Sequence, residues 1–177
     1  MSDVQSLEMP GPLDHETDQK AEFRQLMGLF ATGVCVVSVK SADGTATAMT
    51  VNSFVSVSLD PMLVSWSLQN ASSQFDLYAS ADGFAVSILA EGQAELARRY
   101  AARGDSQLRG DDFVSGKFGL PVIDGALAHL ECRRWSDYTA GDHTLIFGEV
   151  LGMSASNAGE AESPLGFFNG QFCSIGS

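Results

Sequence analysis

Basic side chains are scarce in this sequence. Only 10 lysines and arginines stand against 22 aspartates and glutamates in 177 residues, which gives a formal net charge of -12. Nucleic acids and anionic membrane surfaces are bound by clustered Lys and Arg. The composition therefore argues against both kinds of partner.

Cysteines are also few, and no long apolar run occurs. Cys35, Cys132 and Cys173 are widely spaced and form no CxxC pair, so neither a disulfide framework nor a zinc site is indicated. No apolar stretch approaches the ~18 residues of a membrane span, and no signal-peptide pattern opens the chain. We predict a cytoplasmic protein with no membrane partner.

What the chain does have is enough apolar surface for one folded domain. Apolar residues make up 45% of the sequence and charged residues 18%, a composition typical of globular proteins. Residues 1–22 carry six acidic side chains and one lysine. We predict an acidic, flexible arm over 1–22 and a single domain over 23–177.

Three helices are predicted, two from apolar spacing and one, over 70–80, from the capping serines Ser72 and Ser73 near its start. Phe23, Leu26, Met27 and Phe30 recur at i, i+3, i+4 and i+7, so we expect one helical face that caps the core. A second helix is predicted over 70–80, and an amphipathic third over 91–103. Residues 104–124, rich in Gly and Asp, are predicted to form a loop.

Short strands dominate the rest of the chain. They are predicted over 34–40, 53–59, 62–68, 84–89, 126–135, 144–153 and 167–172, with a turn at Asp43-Gly44 and a wide hairpin tip around 140–142. The strands do not alternate regularly with helices, so we predict a mainly β protein with peripheral helices, a closed or nearly closed antiparallel barrel. No GxGxxG motif follows a strand, which argues against a Rossmann nucleotide site.

The segment 48–70 contains small and polar side chains of the kind that let a flat ring approach the backbone. Serines alternate along both predicted strands, at Ser56 and Ser58 and at Ser65 and Ser67. These stripes could line a ring site, or they could simply face solvent.

A ligand phosphate would need donors other than basic side chains, because Lys and Arg are absent from 41–97. The predicted helix start near Asn70, Ser72 and Ser73 offers hydroxyls and backbone N–H groups. Ordinary N-capping explains the same residues.

His143 lies at a predicted hairpin tip, in Gly141-Asp142-His143-Thr144, where an imidazole can reach a bound partner. A surface or capping role is the alternative. No nucleophile and base pair and no metal-ligand cluster emerges, so any reactivity would come from an organic cofactor.

Several blocks of the sequence together resemble the short-chain flavin reductase family, the reductase components of two-component flavin-dependent monooxygenases. The resemblance is carried by 23–34, by 49–61, by 84–89, by 126–132 and by 140–144 with 148–150. It extends over roughly 23–172, and the blocks 49–61 and 140–144 are the most specific.

The resemblance implies a split antiparallel β-barrel of the FMN-binding type, a homodimer with flavin near the subunit interface, and a flavin-dependent monooxygenase as partner. The activity implied is NAD(P)H:flavin oxidoreduction, in which FMN or FAD takes a hydride from NADH or NADPH. By family position His143 is the catalytic residue, associated with nicotinamide binding. The implied cofactor-binding residues are Met49, Thr50, Val51, Asn52, Ser53, Ser65, Ser67, Asn70, Ser72, Ser73 and Phe168.

Some positions depart from the family pattern. Phe168 replaces an aromatic residue that commonly carries a hydroxyl, and no basic residue follows Ser73, which leaves FMN and FAD both open. A non-catalytic flavin carrier or sensor on the same barrel is the alternative function. The related pyridoxamine-phosphate oxidases are disfavoured, because basic residues for a second phosphate are lacking.

Overall fold

The computed structural model describes residues 16–102, 104, 106–155 and 162–176, and for 16–18 the backbone alone. Residues 1–15 of the predicted arm, and Arg103 at the end of the third predicted helix, lie outside the described residues. Helix α1 runs Glu16–Gly28, so it begins inside the segment predicted as an arm.

Two further α-helices and twelve strands follow along the described residues. The helices are α2 (Phe75–Ser80) and α3 (Ala94–Ala101), the latter preceded by a 3-10 turn at Glu91–Gln93. The strands are β1 (Thr32–Gly33), β2 (Cys35–Lys40), β3 (Ala46–Val51), β4 (Val55–Leu59), β5 (Met62–Gln69), β6 (Gly83–Ile88), β7 (Phe113–Ser115), β8 (Pro121–Ile123), β9 (Ala128–Ala140), β10 (His143–Ala155), β11 (Leu165–Phe168) and β12 (Gln171–Ser174).

Seven strands form one antiparallel sheet in the order β3-β2-β6-β9-β10-β5-β4. The consecutive strands β3 and β4 lie at its two opposite edges and do not pair with each other, so the barrel is split between them. Small sheets β1-β11-β12 and β7-β8 lie beside it. The prediction of a mainly β, antiparallel split barrel is confirmed.

The sheet curls because its two ends bury side chains in the same core. Val37 of β2 and Trp66 of β5 belong to one cluster, although four strand pairings separate their strands. Trp66 packs edge-on against Tyr78 of α2 at 5.4 Å and against Phe84 of β6 at 6.0 Å between ring centroids. Helix α2 thereby closes one end of the barrel.

Strand β2 is buried on both faces from Cys35 to Val39, which explains why apolar residues occupy consecutive positions in it. Val37 and Val39 point into the barrel core, whereas Val34 and Val36 join a second core with Ala97 and Tyr100 of α3. Helix α3 therefore packs on the outside of β2 and β3, close to the end of β3.

Three local predictions are wrong. The helix predicted over 70–80 begins only at Phe75, because 70–74 form turns. The predicted loop 104–124 contains the hairpin of β7 and β8. The tip between β9 and β10 is a tight two-residue turn, since Ala140 pairs with His143 and Gly141 adopts a φ of 62°.

The apolar face of α1 does not cap the core as predicted. Phe23, Leu26, Met27 and Phe30 are all more than half exposed, and so is Leu29. These side chains instead form an apolar surface at α1 and the residues just after it, which the described residues leave uncovered. No helix of the part of the chain that the structure describes is long and apolar enough to cross a membrane.

Candidate functional site

Three clefts meet at the end of strand β3. Cleft A, of about 520 Å³, lies between Met49 and Thr50, the 69–74 turns and the end of α3. Cleft B, of about 140 Å³, lies between Thr50, Val51 and Asn52 and the hairpin of β11 and β12. Cleft C, of about 520 Å³, lies between Asn52 and Ser53 and the segment after α1.

The three clefts are thus lined in turn by the predicted residues: cleft A by Met49 and Thr50, cleft B by Thr50, Val51 and Asn52, and cleft C by Asn52 and Ser53. Both β3 and the following residues are held in place by side-chain bonds. Thr50 donates its hydroxyl hydrogen to the carbonyl oxygen of Ala97 at 2.8 Å, which fixes the end of β3 to α3. The hydroxyl oxygen of Thr50 can still accept a bond from a ligand.

The serine stripes do not form one slot. Paired residues on antiparallel strands share a face, and Val55 pairs with Ser65 whereas Ser56 pairs with Val64. Ser56 and Ser65 consequently face opposite sides of the sheet. The alternation along β5 was correct, but a register shift between Ser56 and Ser58 interrupts the alternation predicted for β4. Neither this shift nor the pairing of the two strands could be obtained from the sequence pattern.

Ser65 and Ser67, predicted to bind the cofactor, do not line clefts A to C. Ser65 is buried, with 3% of its surface exposed. The backbone N–H of Ser67 donates to the hydroxyl oxygen of Ser53 at 3.0 Å. Ser67 is thereby tied to Ser53 of cleft C, and flavin binding by Ser65 and Ser67 stays a prediction.

Ser72 and Ser73 line cleft A as predicted, but no helix starts at them. Ser72 accepts the backbone N–H of Gln74 at 3.2 Å within a turn. Gln74 also lines the cleft, and its side-chain oxygen is buried and has no hydrogen-bond partner among the described residues. The hydroxyls, the amide side chains and the turn backbone thus form a neutral donor and acceptor set that fits the ribityl and phosphate groups of a flavin.

Asn70 does not line cleft A; it holds the hairpin tip against the 69–74 turns. Its amide nitrogen donates to the carbonyl of Gly141 at 3.3 Å, its amide oxygen accepts from Thr144 at 2.8 Å, and its backbone N–H donates to Asp142 at 2.9 Å. These bonds connect Asn70 to the hairpin tip, and its role at a phosphate stays a prediction.

His143 lies beside cleft A because it pairs with Gln69, a residue of the cleft wall. Its side chain is 42% exposed, and Nδ1 lies 2.8 Å from the carboxylate of Asp142. The hydrogen bond and charge of His143 hold the pKa of Asp142 below its usual value. Nε2 of His143 is left to contact a bound molecule.

Tyr100 is a site residue that sequence analysis missed. It lines cleft A, and its hydroxyl donates to the carboxylate of Asp112, which also binds Arg99. The same hydroxyl accepts the N–H of Arg109 at 3.2 Å. Burial alone would raise the pKa of Asp112, but the hydrogen bonds from Tyr100 and Arg99 outweigh it and lower that pKa. No spacing rule links residue 100 to residue 112.

We call the bonds of Asp112 to Tyr100 and Arg99 the latch. The latch ties residues 106–112 to α3, and the same segment bonds to the free edge of β3. Ser106 accepts the N–H of Ala48 at 2.8 Å, and Leu108 donates to Ala46 at 2.9 Å. Backbone that would otherwise be an unpaired sheet edge is thereby satisfied.

Two of the three thiols are inert by burial. Burial raises the pKa of both Cys35 and Cys132 to about 12, and Cys35 borders cleft C. Cys173, on β12, is partly exposed. All three are free thiols.

Phe168, the last predicted cofactor residue, is 43% exposed at the end of β11 and does not line clefts A to C. Its neighbour Phe167 lines cleft B with Phe172. Adjacent strand residues point to opposite faces, so the side chain of Phe168 points away from that of Phe167.

Comparison with known proteins gives a consistent result. The model of the family "Flavin reductase like domain" matches residues 27–176. The chain is 40% identical over 176 residues to FMN reductase (NADH) SmoA of Agrobacterium fabrum, with 97% of each chain covered. It is 31% identical over 165 residues to the flavin-dependent monooxygenase reductase subunit HsaB of Rhodococcus jostii, which covers 93% of this chain and 83% of that protein.

The fold agrees with these sequence matches. The solved structure of the Streptomyces globisporus NADH:FAD oxidoreductase SgcE6, in complex with NAD and FAD fragments, superimposes with a TM-score of 0.82 at 34% identity. The superposition covers 93% of this chain and 98% of that one.

Proposed function

This chain belongs to the flavin reductase like domain family, and we propose that it is an NAD(P)H-dependent flavin reductase that supplies reduced FMN or FAD to a partner monooxygenase. The proposal rests on relatives named as NADH-dependent reductases of FMN and of FAD and as monooxygenase reductase components. The family match over 27–176 also supports a functional unit over 23–177.

One observation carries the assignment to a site: the segment 49–53 lines clefts A, B and C at once. A flavin has a flat ring, a ribityl chain and a phosphate, so it needs a slot that continues into a polar cleft. Clefts B and C offer apolar walls for the ring, and cleft A offers Ser72, Ser73 and Gln74 for the polar tail.

When bound, the flavin supplies the redox chemistry by accepting a hydride from the nicotinamide. The residues of this chain position the two partners, and alignment of this kind can contribute up to roughly 7 to 11 kcal/mol to lowering a barrier. Thr50, Asn52 and Ser53 would hold the flavin from β3, whereas His143 would contact the nicotinamide from the hairpin tip. The tight Gly141-Asp142 turn limits where that imidazole can reach.

A flavin carrier or sensor without reductase activity is the alternative. Purified protein is mixed with FMN or FAD and with NADH or NADPH, and the nicotinamide absorbance is followed. Flavin-dependent loss of that absorbance is expected for at least one pair. Flavin binding without any nicotinamide consumption would establish the carrier.

We also propose a homodimer. Leu26 of α1, Phe30 just after that helix, and Val55 and Leu59 of β4 are between 53% and 90% exposed. Apolar patches of this kind mark interaction surfaces. Phe30 and Val55 also line cleft C, so a second copy covering them would complete the wall of the flavin site. The cytoplasmic location stays a prediction.

A further inference from the structure

A fourth cleft, cleft D, continues the path of the first three. It has a volume of about 370 Å³ and is lined by Arg98, Phe167, Gly170, Gln171 and Phe172. Phe167 and Phe172 also line cleft B. Cleft B in turn shares Thr50 and Ala101 with cleft A, so A, B and D adjoin one another near the end of β3.

Arg98 is the charged side chain of this path. Among the described residues that line clefts A to D, no other is charged. Because the chain carries a net charge of -12, its overall field repels a polyphosphate. A local cation such as Arg98 therefore favours binding of a polyphosphate at cleft D. Arg98 lies in the last turn of α3, where the helix dipole favours a cation.

The guanidinium of Arg98 lies over the ring of Phe172, with Cζ 5.3 Å from the ring centroid. Phe172 is itself held edge-on by Phe167 at 5.6 Å. A guanidinium on a phenyl ring leaves one planar face open, which can stack on a purine base, and N–H donors at its rim, which match phosphate oxygens.

A phosphate can reach the guanidinium of Arg98 with little loss of stability. Arg98 pairs with Glu95 one helical turn earlier, and the two side chains are 55% and 85% exposed. Exposed ion pairs of this kind contribute little to stability, so an incoming phosphate can replace the carboxylate of Glu95.

We propose that cleft D binds the adenylate half of a dinucleotide, with the adenine stacked on Arg98 and the phosphate bonded to its guanidinium. The proposal rests on the proposed function, which brings two dinucleotides to the site: FAD and NAD(P)H. Both carry the same adenylate chemistry, and the experiment separates them.

The test compares each dinucleotide with its mononucleotide in Arg98→Met. Binding of FAD and FMN is measured by flavin fluorescence, and KM is measured for NADH and for reduced nicotinamide mononucleotide. We expect one dinucleotide to weaken by roughly five- to tenfold while its mononucleotide changes by less than about twofold. A weaker FAD complex identifies the flavin as the source, and a raised KM for NADH identifies the nicotinamide. Arg98→Lys, which keeps the charge but loses the plane, should fall between.

Arg133→Met is the matched control, because Arg133 is also exposed, at 61%, and also pairs with a glutamate, Glu149. It should leave all four constants unchanged. Parallel changes for dinucleotides and mononucleotides in Arg98→Met, or no change in either, would overturn the proposal.

Failure of the proposed function gives a different result. If the wild type consumes no nicotinamide with any flavin, the reductase assignment is lost. ADP binding measured by calorimetry then tests separately whether cleft D is an adenylate site. ADP binding weakened by Arg98→Met supports the adenylate site. Absent or unchanged binding removes it.

Discussion

The hydroxyl oxygen of Ser53 accepts the backbone N–H of Ser67 at 3.0 Å, beyond the point where β4 stops pairing with β5. The last ladder pair at that end joins Val55 to Ser65. The side chain of Ser53 therefore bonds to β5 where β4 no longer pairs with it. This bond lies at the split of the barrel, beside cleft C.

Ser53→Ala should loosen this junction. The N–H of Ser67 loses its acceptor in a half-buried position, so the free energy of unfolding should fall by about 1 kcal/mol. Flavin affinity should fall too, because Ser53 lines cleft C. Urea denaturation and a flavin titration measure the two effects.

Ser58→Ala is the matched control for Ser53→Ala. Ser58 also accepts a backbone N–H, that of Asp60 at 3.2 Å, but in an exposed turn, where water can replace it. Similar losses of stability in both variants would show that Ser53 has no special role at the split.

His143→Ala should weaken nicotinamide binding more than flavin binding. The side chain lies at the hairpin tip beside cleft A, and loss of one hydrogen-bonding contact should raise KM for NADH by roughly tenfold. His143→Gln, which keeps a hydrogen-bonding group, should lose less. Steady-state kinetics and flavin titration are compared, and equal losses of both affinities would count against the assignment.

Asp112→Asn should release the latch at cleft A. The pKa of Asp112 is lowered in the folded state, so the unfolded chain binds this proton more readily. The stabilisation is thus present above the unfolded pKa, near 3.9, and is lost as the pH falls through the lower folded value. Denaturation curves from neutral pH to about pH 3 should lose less stability in Asp112→Asn than in the wild type.

The exposed neighbour Asp111 supplies the control for this latch, because Asp111→Asn should follow the wild-type pH dependence. Weaker flavin binding is also expected for Asp112→Asn, since Tyr100 lines cleft A. An unchanged acid profile would show that the latch contributes nothing to folding.

Leu26→Glu should dissociate the proposed dimer. An unpaired carboxylate placed in an apolar interface loses its hydration without compensation. The wild type is expected to sediment as a dimer at micromolar concentrations and Leu26→Glu as a monomer with weaker flavin binding. Val114→Glu changes an equally exposed aliphatic side chain on β7 and should stay dimeric. A monomeric wild type would contradict the proposal.

Elements were predictable where neighbours in sequence decide the structure. The alternation in Met62–Gln69 matches the buried side chains Val64, Trp66 and Leu68, and Asp43-Gly44 forms the turn between β2 and β3. A helix at Phe23, Leu26 and Met27 was also correctly predicted, although it ends at Gly28, before Phe30. What the spacing could not show is whether the apolar face of α1 packs on its own chain or on another surface.

Contacts between distant segments were not predictable. The opposite facing of Ser56 and Ser65 depends on strand register, and the path from cleft A to cleft D depends on the return of the final hairpin to α3. Asn70 illustrates the difference: its position near the site was predicted, but its bonds to Gly141 and Thr144 require the hairpin tip to be in place.

The protonation and exposure of the three thiols determine which cysteine is oxidised or alkylated first. Oxidants and alkylating reagents attack the thiolate form, and a pKa of about 12 keeps Cys35 protonated at the border of cleft C. Modification should therefore begin at Cys173, next to Phe172. A fluorescent label can be attached there in the unaltered sequence, as a reporter on cleft D, while the thiol beside the proposed ring site stays unmodified.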